Sequence, residues 1–161
     1  MDRRHAIREL RSEDAQAVQA FVRRLSPESR RRRFFAPISE LVPSQLARVT
    51  RGAGPDDVNL GAFDGAGSIV GLAQYVVERD TGAEFAVVVD DALQRSGLGA
   101  RLVGLLIERA REGGVGALHG LVQNDNWPML GLAAKLGFEL LGDPDPRLLR
   151  VERLLVEAHA I

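Results

Sequence analysis

The chain has 161 residues, of which 45% are hydrophobic and 27% are charged. These values are typical of one globular domain and exclude disordered, collagen-like and fibrous proteins. A formal net charge of −1 gives no global basic field for nucleic acid, and the lack of cysteine excludes disulfides and thiolate zinc sites. No signal peptide or membrane-spanning stretch is visible. We expect one cytoplasmic domain over residues 1–161, with no nucleic-acid or membrane partner.

The N-terminal third is predicted to hold one strand followed by helices. Alternating apolar and charged residues predict a strand over 6–11. Ser12 is predicted to cap a first helix, and Ser26 a second one with Pro27 at its first position. The predicted helical segments are 13–24, 26–35 and 43–50. A loop follows at 52–55.

The rest of the chain alternates between strand and helix patterns. The predicted strands are 58–63, 68–79, 83–89, 115–122 and 138–141. The predicted helices are 97–111, ended by Gly113, and 126–136, capped by Asn126 and stopped by Gly137. Segment 147–156 fits a helix and a strand about equally. This order predicts an α/β (α+β) fold with a mixed sheet and helices on both faces.

A glycine-rich segment follows the valine-rich strand that ends at Val89. Gln94-Arg95-Ser96-Gly97-Leu98-Gly99-Ala100 opens the next helix. Backbone N–H groups at a helix N-terminus bind anions, and glycine permits close approach of a phosphate. A tight strand-to-helix turn would also need these glycines. A dinucleotide fingerprint is excluded because its third glycine position is Leu102, and no Walker loop, HExxH or GxSxG motif occurs.

The segment Gln94-x-x-Gly97-x-Gly99/Ala100 resembles the acyl-CoA motif of the GNAT acetyltransferase superfamily. Asn126-x-x-Met129 followed by Lys135-Leu136-Gly137-Phe138 resembles a second mark of that family. Segments 25–30, 33–35 and 83–87 resemble the catalytic domain of bacterial protein lysine acetyltransferases. The resemblance covers nearly the whole chain. It implies a GNAT-like, mostly antiparallel sheet, splayed in the middle between strands 83–89 and 115–122.

The resemblance also implies acetyl-CoA as cosubstrate and no metal. The pantetheine arm would pair with the backbone near Val87 and Val89, and the pyrophosphate would lie on the amides of residues 95–100. Arg95 would add a charged contact to a phosphate. The implied cofactor-binding residues are Val87, Val89, Gln94, Arg95, Gly97, Gly99, Ala100 and Asn126.

Glu84 falls where the family's catalytic glutamate lies, so it is the implied general base. A lysine amine titrates at about 10.4 and must lose a proton before it attacks a thioester. The alternative is a strand-edge carboxylate that only faces solvent. Glu78 and Asp80 are reserve candidates for the base.

One position departs from the family pattern. Many members carry a tyrosine as acid for the leaving thiolate, two residues before the lysine that corresponds to Lys135. Here that position is Ala133, and the only tyrosine is Tyr75. Either water protonates the thiolate, or the thiolate leaves unaided, since thiols titrate at about 8.5.

Other side chains carry weaker signals. Four consecutive arginines, 30–33, cover every side of a helix, so at least one must face inward. Phe34, Phe35 and Trp127 are expected to pack, although Phe34 and Phe35 could form the wall of an acceptor site. His119, inside a strand, is expected to be structural more often than proton-handling.

These observations predict an N-acetyltransferase that moves an acetyl group from acetyl-CoA to a protein lysine. The attack is expected to be direct, and the lack of cysteine supports this because it excludes an acetyl-cysteine intermediate. The alternatives are a small-molecule amine as acceptor, or a non-catalytic acyl-CoA-sensing domain. A monomer and a homodimer are both compatible with the sequence.

Overall fold

The computed structural model describes residues 5–52, 54, 56–78 and 80–155. The strands are β1 (Ala6–Glu9), β2 (Asp57–Phe63), β3 (Ile69–Glu78), β4 (Gly82–Val89), β5 (Ala117–Gln123), β6 (Glu139–Gly142) and β7 (Leu148–Leu154). The helices are α1 (Ala15–Arg24), α2 (Pro27–Phe34), α3 (Pro43–Thr50), α4 (Leu98–Glu112) and α5 (Trp127–Lys135). Among the described residues, no helix is both long and apolar enough to span a membrane.

The predicted elements are confirmed, with small shifts at their ends. The predicted loop 52–55 and the ends of segments 68–79 and 147–156 lie partly outside the described residues. Segment 147–156, which periodicity left open, forms strand β7. β7 lies between β5 and β6, and Val151 is fully buried between Gly120 and Leu140. Cross-strand pairing therefore decides a pattern that is ambiguous in isolation.

The seven strands form one sheet in the order β1-β2-β3-β4-β5-β7-β6. Every neighbouring pair is antiparallel except β4 and β5, which are parallel. The β4–β5 pairing includes only two positions, Ala83 with Leu118 and Glu84 with His119. The predicted mixed, mostly antiparallel sheet with a splay in its middle is confirmed.

Apolar residues at helical spacing form a separate core on each face of the sheet. On one face, Leu98, Leu102 and Leu106 of α4 are fully buried against the sheet. On the other face, Val18, Phe21 and Val22 of α1 pack with residues of β2, β3 and β4. Burying one such side chain stabilises the fold by about 1.5–3 kcal/mol. The prediction of helices on both faces is confirmed.

The first helix begins differently from the prediction. Ser12 does not cap it but lies in a 3₁₀ turn, Ser12–Asp14. The Asp14 carboxylate instead closes this 3₁₀ turn, accepting a hydrogen bond from the N–H of Arg11 at 2.7 Å and pairing with Arg8 at 2.8 Å. The bond from Arg8 holds the pKa of Asp14 below its usual range. An ionised carboxylate fixed by an arginine is a stronger acceptor than a hydroxyl, which explains the difference.

Candidate active site

The splay between β4 and β5 opens a cleft in the middle of the sheet. Strand pairing ends at Glu84 and His119, and beyond them the two strands line opposite sides of the cleft. Helices α2, α4 and α5 contribute further walls. The cleft, which we call the larger cleft, has a volume of about 910 Å³. A space of this size accommodates an extended ligand, and the unpaired part of β4 offers it backbone hydrogen-bonding groups.

All eight residues that were predicted to bind the cofactor line the larger cleft. They come from three separate parts of the chain and meet only in the folded structure: Val87, Val89, Gln94, Arg95, Gly97, Gly99, Ala100 and Asn126. The side-chain oxygen of Asn126 accepts a hydrogen bond from the N–H of Met129 at 3.3 Å, and so caps α5. The glycine motif, 94–100, and the motif that begins at Asn126 thus border the larger cleft from two sides.

The glycines allow the N-terminus of α4 to reach the cleft. Gly97 has a φ of 92°, in the left-handed region that favours glycine. A Cβ at Gly99 would lie 3.3 Å from Leu132 on α5 and 3.8 Å from Val89 on β4. The first-turn N–H groups of this 15-residue helix have no acceptor within the helix and favour an anion. This end of the cleft therefore suits the phosphates of a nucleotide-bearing cofactor.

Helix α2 is attached to the loop between β4 and α4 by Asp91, a residue that the sequence did not single out. Its carboxylate accepts hydrogen bonds from the N–H of Ser26 at 2.9 Å, from the Ser26 hydroxyl at 2.8 Å and from the Ser29 hydroxyl at 2.6 Å. Burial acts to raise the pKa of Asp91, but these bonds lower it below the ordinary value. Gln94 also donates to the Ser29 hydroxyl, at 3.3 Å.

Glu84 lies between the larger cleft and a second cavity. Its side chain is exposed and lines both spaces. The second cavity, which we call the smaller cavity, has a volume of about 430 Å³ and lies between the sheet and helices α2 and α3. Its lining combines apolar side chains with four charged ones, Arg33, Arg48, Glu78 and Glu84. A carboxylate at this junction can contact molecules bound in both spaces.

Two members of the arginine run, Arg32 and Arg33, line the larger cleft, which confirms that at least one of the four turns inward. Arg33 is half-buried and also lines the smaller cavity. Burial lowers the pKa of its guanidinium to about 10, while the nearby charge of Glu84 acts in the opposite direction. Arg33 therefore keeps its charge at neutral pH. Arg32 pairs with Glu28 at 2.9 Å, and Arg30 donates to the backbone oxygen of Leu25.

His119 lies beside two of the candidate bases, Glu78 and Glu84. It is only 5% exposed, and its Nε2 lies 3.1 Å from Oε1 of Glu78. Its register partner on β4 is Glu84. The only sequence signal for this proximity was the position of a histidine beside the expected splay.

Several other predicted side chains do not meet at the site. Asp80 lines neither cavity, so Glu78 is the reserve base that lies near the site. Tyr75 is buried and lines neither cavity, and Ala133 lies in the core. The structure thus places no tyrosine where it could protonate a leaving thiolate.

The packing roles of two aromatic residues were predicted wrongly. Trp127 is 73% exposed and Phe35 is 49% exposed. Trp127 occupies the first position of α5, where its side chain projects to solvent. Phe35 ends α2 in a left-handed conformation and lines the larger cleft. Phe34 is partly buried, packs against the core under α1 and lines both cavities.

The chain is similar to known acetyltransferase sequences. The chain matches the Acetyltransferase (GNAT) family over residues 4–138. An acetyltransferase of Pseudomonas aeruginosa is 35% identical over 158 residues, covering 95% of this chain and 85% of that protein. An L-methionine sulfoximine/L-methionine sulfone acetyltransferase of the same species is 38% identical over 86 residues, covering 50% of each chain.

Solved structures agree with this assignment. The GNAT domain of S. lividans PAT superposes with a TM-score of 0.87 at 26% identity, covering 92% of this chain and 89% of that one. The acetyltransferase-like protein yncA of Salmonella typhimurium, solved with its cofactor acetyl-CoA, superposes with a TM-score of 0.73 at 19% identity, covering 98% of each chain. The chain therefore belongs to the GNAT acetyltransferase family and is an acetyl-CoA-dependent N-acetyltransferase.

Proposed function

We propose that this protein acetylates lysine side chains of other proteins by direct transfer from acetyl-CoA, with Glu84 as general base. The observation that carries the proposal is the position of Glu84, whose side chain lines both the larger cleft and the smaller cavity. Acetyl-CoA would occupy the larger cleft and the acceptor amine would enter from the smaller cavity. Glu84 would then contact the amine where the two substrates meet.

The chemistry requires one proton acceptor and one leaving group. A lysine ammonium, with a pKa of about 10.4, gives a proton to Glu84 directly or through one water. The freed nitrogen lone pair attacks the thioester carbonyl, the carbon–sulfur bond breaks and an amide forms. The sulfur leaves as a thiolate and takes a proton from water, since no tyrosine lines the cleft. Holding both substrates in one site replaces a bimolecular encounter.

The donor site is proposed to use the eight cleft residues. Backbone groups of Val87 and Val89 would pair with the pantetheine arm as an added strand. The amides from Arg95 to Ala100 would hold the pyrophosphate, with the Arg95 guanidinium as a further phosphate contact. Gln94 would support this loop through Ser29, and Asn126 would border the opposite side.

The smaller cavity supports lysine as the acceptor. Its apolar lining includes Leu10, Phe34 and Leu41, which can contact the methylenes of a lysine side chain. Its acidic lining, Glu78 and Glu84, attracts an ammonium group. The resemblance of segments 25–30, 33–35 and 83–87 to bacterial protein lysine acetyltransferases supports the same acceptor.

A second candidate acceptor is a small zwitterionic amine, such as a free amino acid. The observation that favours it is the presence of Arg33 and Arg48 in the same cavity as the two glutamates. The ammonium of such a substrate would face a glutamate, and its carboxylate would face an arginine. The L-methionine sulfoximine/L-methionine sulfone acetyltransferase is similar to this chain over half of its length, at 38% identity.

An acceptor panel distinguishes these functions. The enzyme and acetyl-CoA are incubated with a peptide that contains one lysine, with the same peptide carrying acetyl-lysine, and with free amino acids and their carboxamides. Mass spectrometry identifies the acetylated product. We expect acetylation of the lysine Nζ alone. Turnover of free amino acids but not of their carboxamides would instead establish the second candidate, with Arg33→Gln and Arg48→Gln raising KM. No turnover in this panel, with retained acetyl-CoA binding, would refute both proposed acceptors.

A further inference from the structure

Three potential metal ligands meet at the point where the sheet splays. Within the part of the chain that the structure describes, Glu78, Glu84 and His119 form the one group whose ligand atoms all lie within 4.8 Å of one another. They come from three adjacent strands, β3, β4 and β5. Glu84 is in register with His119 on one side and with Val76 on the other, and Glu78 follows Val76 by two residues. The three side chains therefore project from the same face of the sheet.

The buried nitrogen of His119 points to a ligand in this group. Its Nε2 is shielded from solvent and makes no hydrogen bond, although Oε1 of Glu78 lies 3.1 Å away. The two groups are close, but their geometry is not that of a hydrogen bond. A buried polar atom without a partner costs about 1–3 kcal/mol, and a bound ion is one of the arrangements that removes this cost.

We propose that Glu78, Glu84 and His119 form a binding site for Zn²⁺. One imidazole nitrogen and two carboxylate oxygens are a ligand set that zinc accepts, and the two negative charges match the charge of the ion. Zinc ligands lie about 2.0–2.2 Å from the metal, which places the ligand atoms of a tetrahedral site roughly 3.4 Å apart. His119 Nε2 and Glu78 Oε1 already lie 3.1 Å apart, so Glu84 is the ligand that must move closer. Both glutamates are exposed and can turn, whereas His119 is held by the core.

Glu78 and Glu84 both line the smaller cavity, so water can reach a fourth coordination position from that side. Mg²⁺ and Ca²⁺ prefer a larger number of oxygen ligands, and the imidazole selects against them. Zinc bound in this way occupies the carboxylate of Glu84. If Glu84 is the general base, as proposed above, zinc inhibits acetyl transfer by competing with the acceptor amine.

Binding is tested without reference to activity. The chain has three histidines, so the double variant His5→Gln/His159→Gln keeps only the imidazole of His119. Zn²⁺ is titrated into this variant by calorimetry, and Co²⁺ is used as a visible-absorption probe of the ligand geometry. We expect one saturable site with the absorption of a four-coordinate Co²⁺ ion. Adding His119→Gln or Glu78→Gln should weaken binding at least tenfold, whereas the exposed helical control Glu108→Gln should not.

Equal zinc affinity with and without His119 would overturn the proposal, as would the absence of saturable binding in the double variant. Circular dichroism of each variant shows whether the fold is retained. A second measurement separates this proposal from the assignment of the base. Zinc binding together with unimpaired turnover by Glu84→Gln would establish the metal site and refute the role of Glu84. Loss of turnover in Glu84→Gln, together with no zinc binding by the double variant, would support Glu84 as the base and refute the metal site.

Discussion

At the residue scale, Asp91 connects two elements that border the site. It accepts three hydrogen bonds from Ser26 and Ser29, which belong to the start of α2, and so holds that helix against the loop that leads into α4. α2 also carries Arg33, which lines both cavities. A single carboxylate therefore couples the acceptor side of the site to the donor side.

Replacing Asp91 by asparagine is expected to destabilise the protein in a pH-dependent way. The pKa of Asp91 is lowered in the folded state, so its contribution is present above the unfolded pKa, near 3.8, and is lost as the pH falls through the folded pKa. We expect a loss of about 1 kcal/mol at pH 7, or roughly 2–4 °C in Tm, that shrinks toward pH 3. Thermal melts across this range test it.

Asp125→Asn, at an exposed aspartate in the turn before α5, is the matched control for that series. Its Tm should follow the wild type at every pH. A Tm difference for Asp91→Asn that persists unchanged in acid would contradict the role given to the charged carboxylate.

At the scale of elements, the site depends on how β4 leaves β5. The strands are close at the start of β4, where a Cβ at Gly82 would lie 2.2 Å from the carbonyl oxygen of Ala117. Gly82 also has a φ of 96°. After the two paired positions the strands separate and form the larger cleft. The close approach at Gly82 thus defines the point from which the splay opens.

Gly82→Ala is expected to destabilise the fold by about 2–3 kcal/mol, because a side chain would meet the Ala117 carbonyl and strain a left-handed backbone. The matched control is Gly104→Ala in α4, where a Cβ would contact nothing within 4 Å. That change should stabilise the protein by about 0.5–1 kcal/mol, because alanine favours helix. Urea denaturation measures both. Equal stabilities of the two variants would refute this account of the β4–β5 contact.

Element types were predictable where local chemistry decides them. The Ser26 cap, the glycine stop after α4 and the Asn126 cap appear as expected, because each acts within a few residues. The 3₁₀ turn before α1 was not predictable, since the Asp14 carboxylate that closes it is held by Arg8 on β1. The sequence also could not show that β7 is a strand, because this depends on its pairing with β5 and β6.

At the scale of the whole molecule, a hydrophobic core packs on each face of the sheet. The cleft opens where the parallel strands β4 and β5 separate. The motif resemblance predicted the residues around this cleft, because the motifs mark backbone shapes that recur in the family. It did not predict that His119 and Glu78 lie beside Glu84, or that Asp91 supports α2. Such contacts join distant positions through strand register and leave no local pattern in one sequence.

The central claim, that Glu84 takes the proton from the acceptor amine, is tested most directly by free-thiol release from acetyl-CoA with a lysine peptide. We predict that Glu84→Gln lowers kcat by about 10²-fold or more. Acetyl-CoA at 100 times its Kd should still stabilise this variant by about 2.7 kcal/mol. Glu108→Gln should retain both activity and binding. Turnover by Glu84→Gln at the wild-type rate, with an unchanged pH profile, would contradict the account.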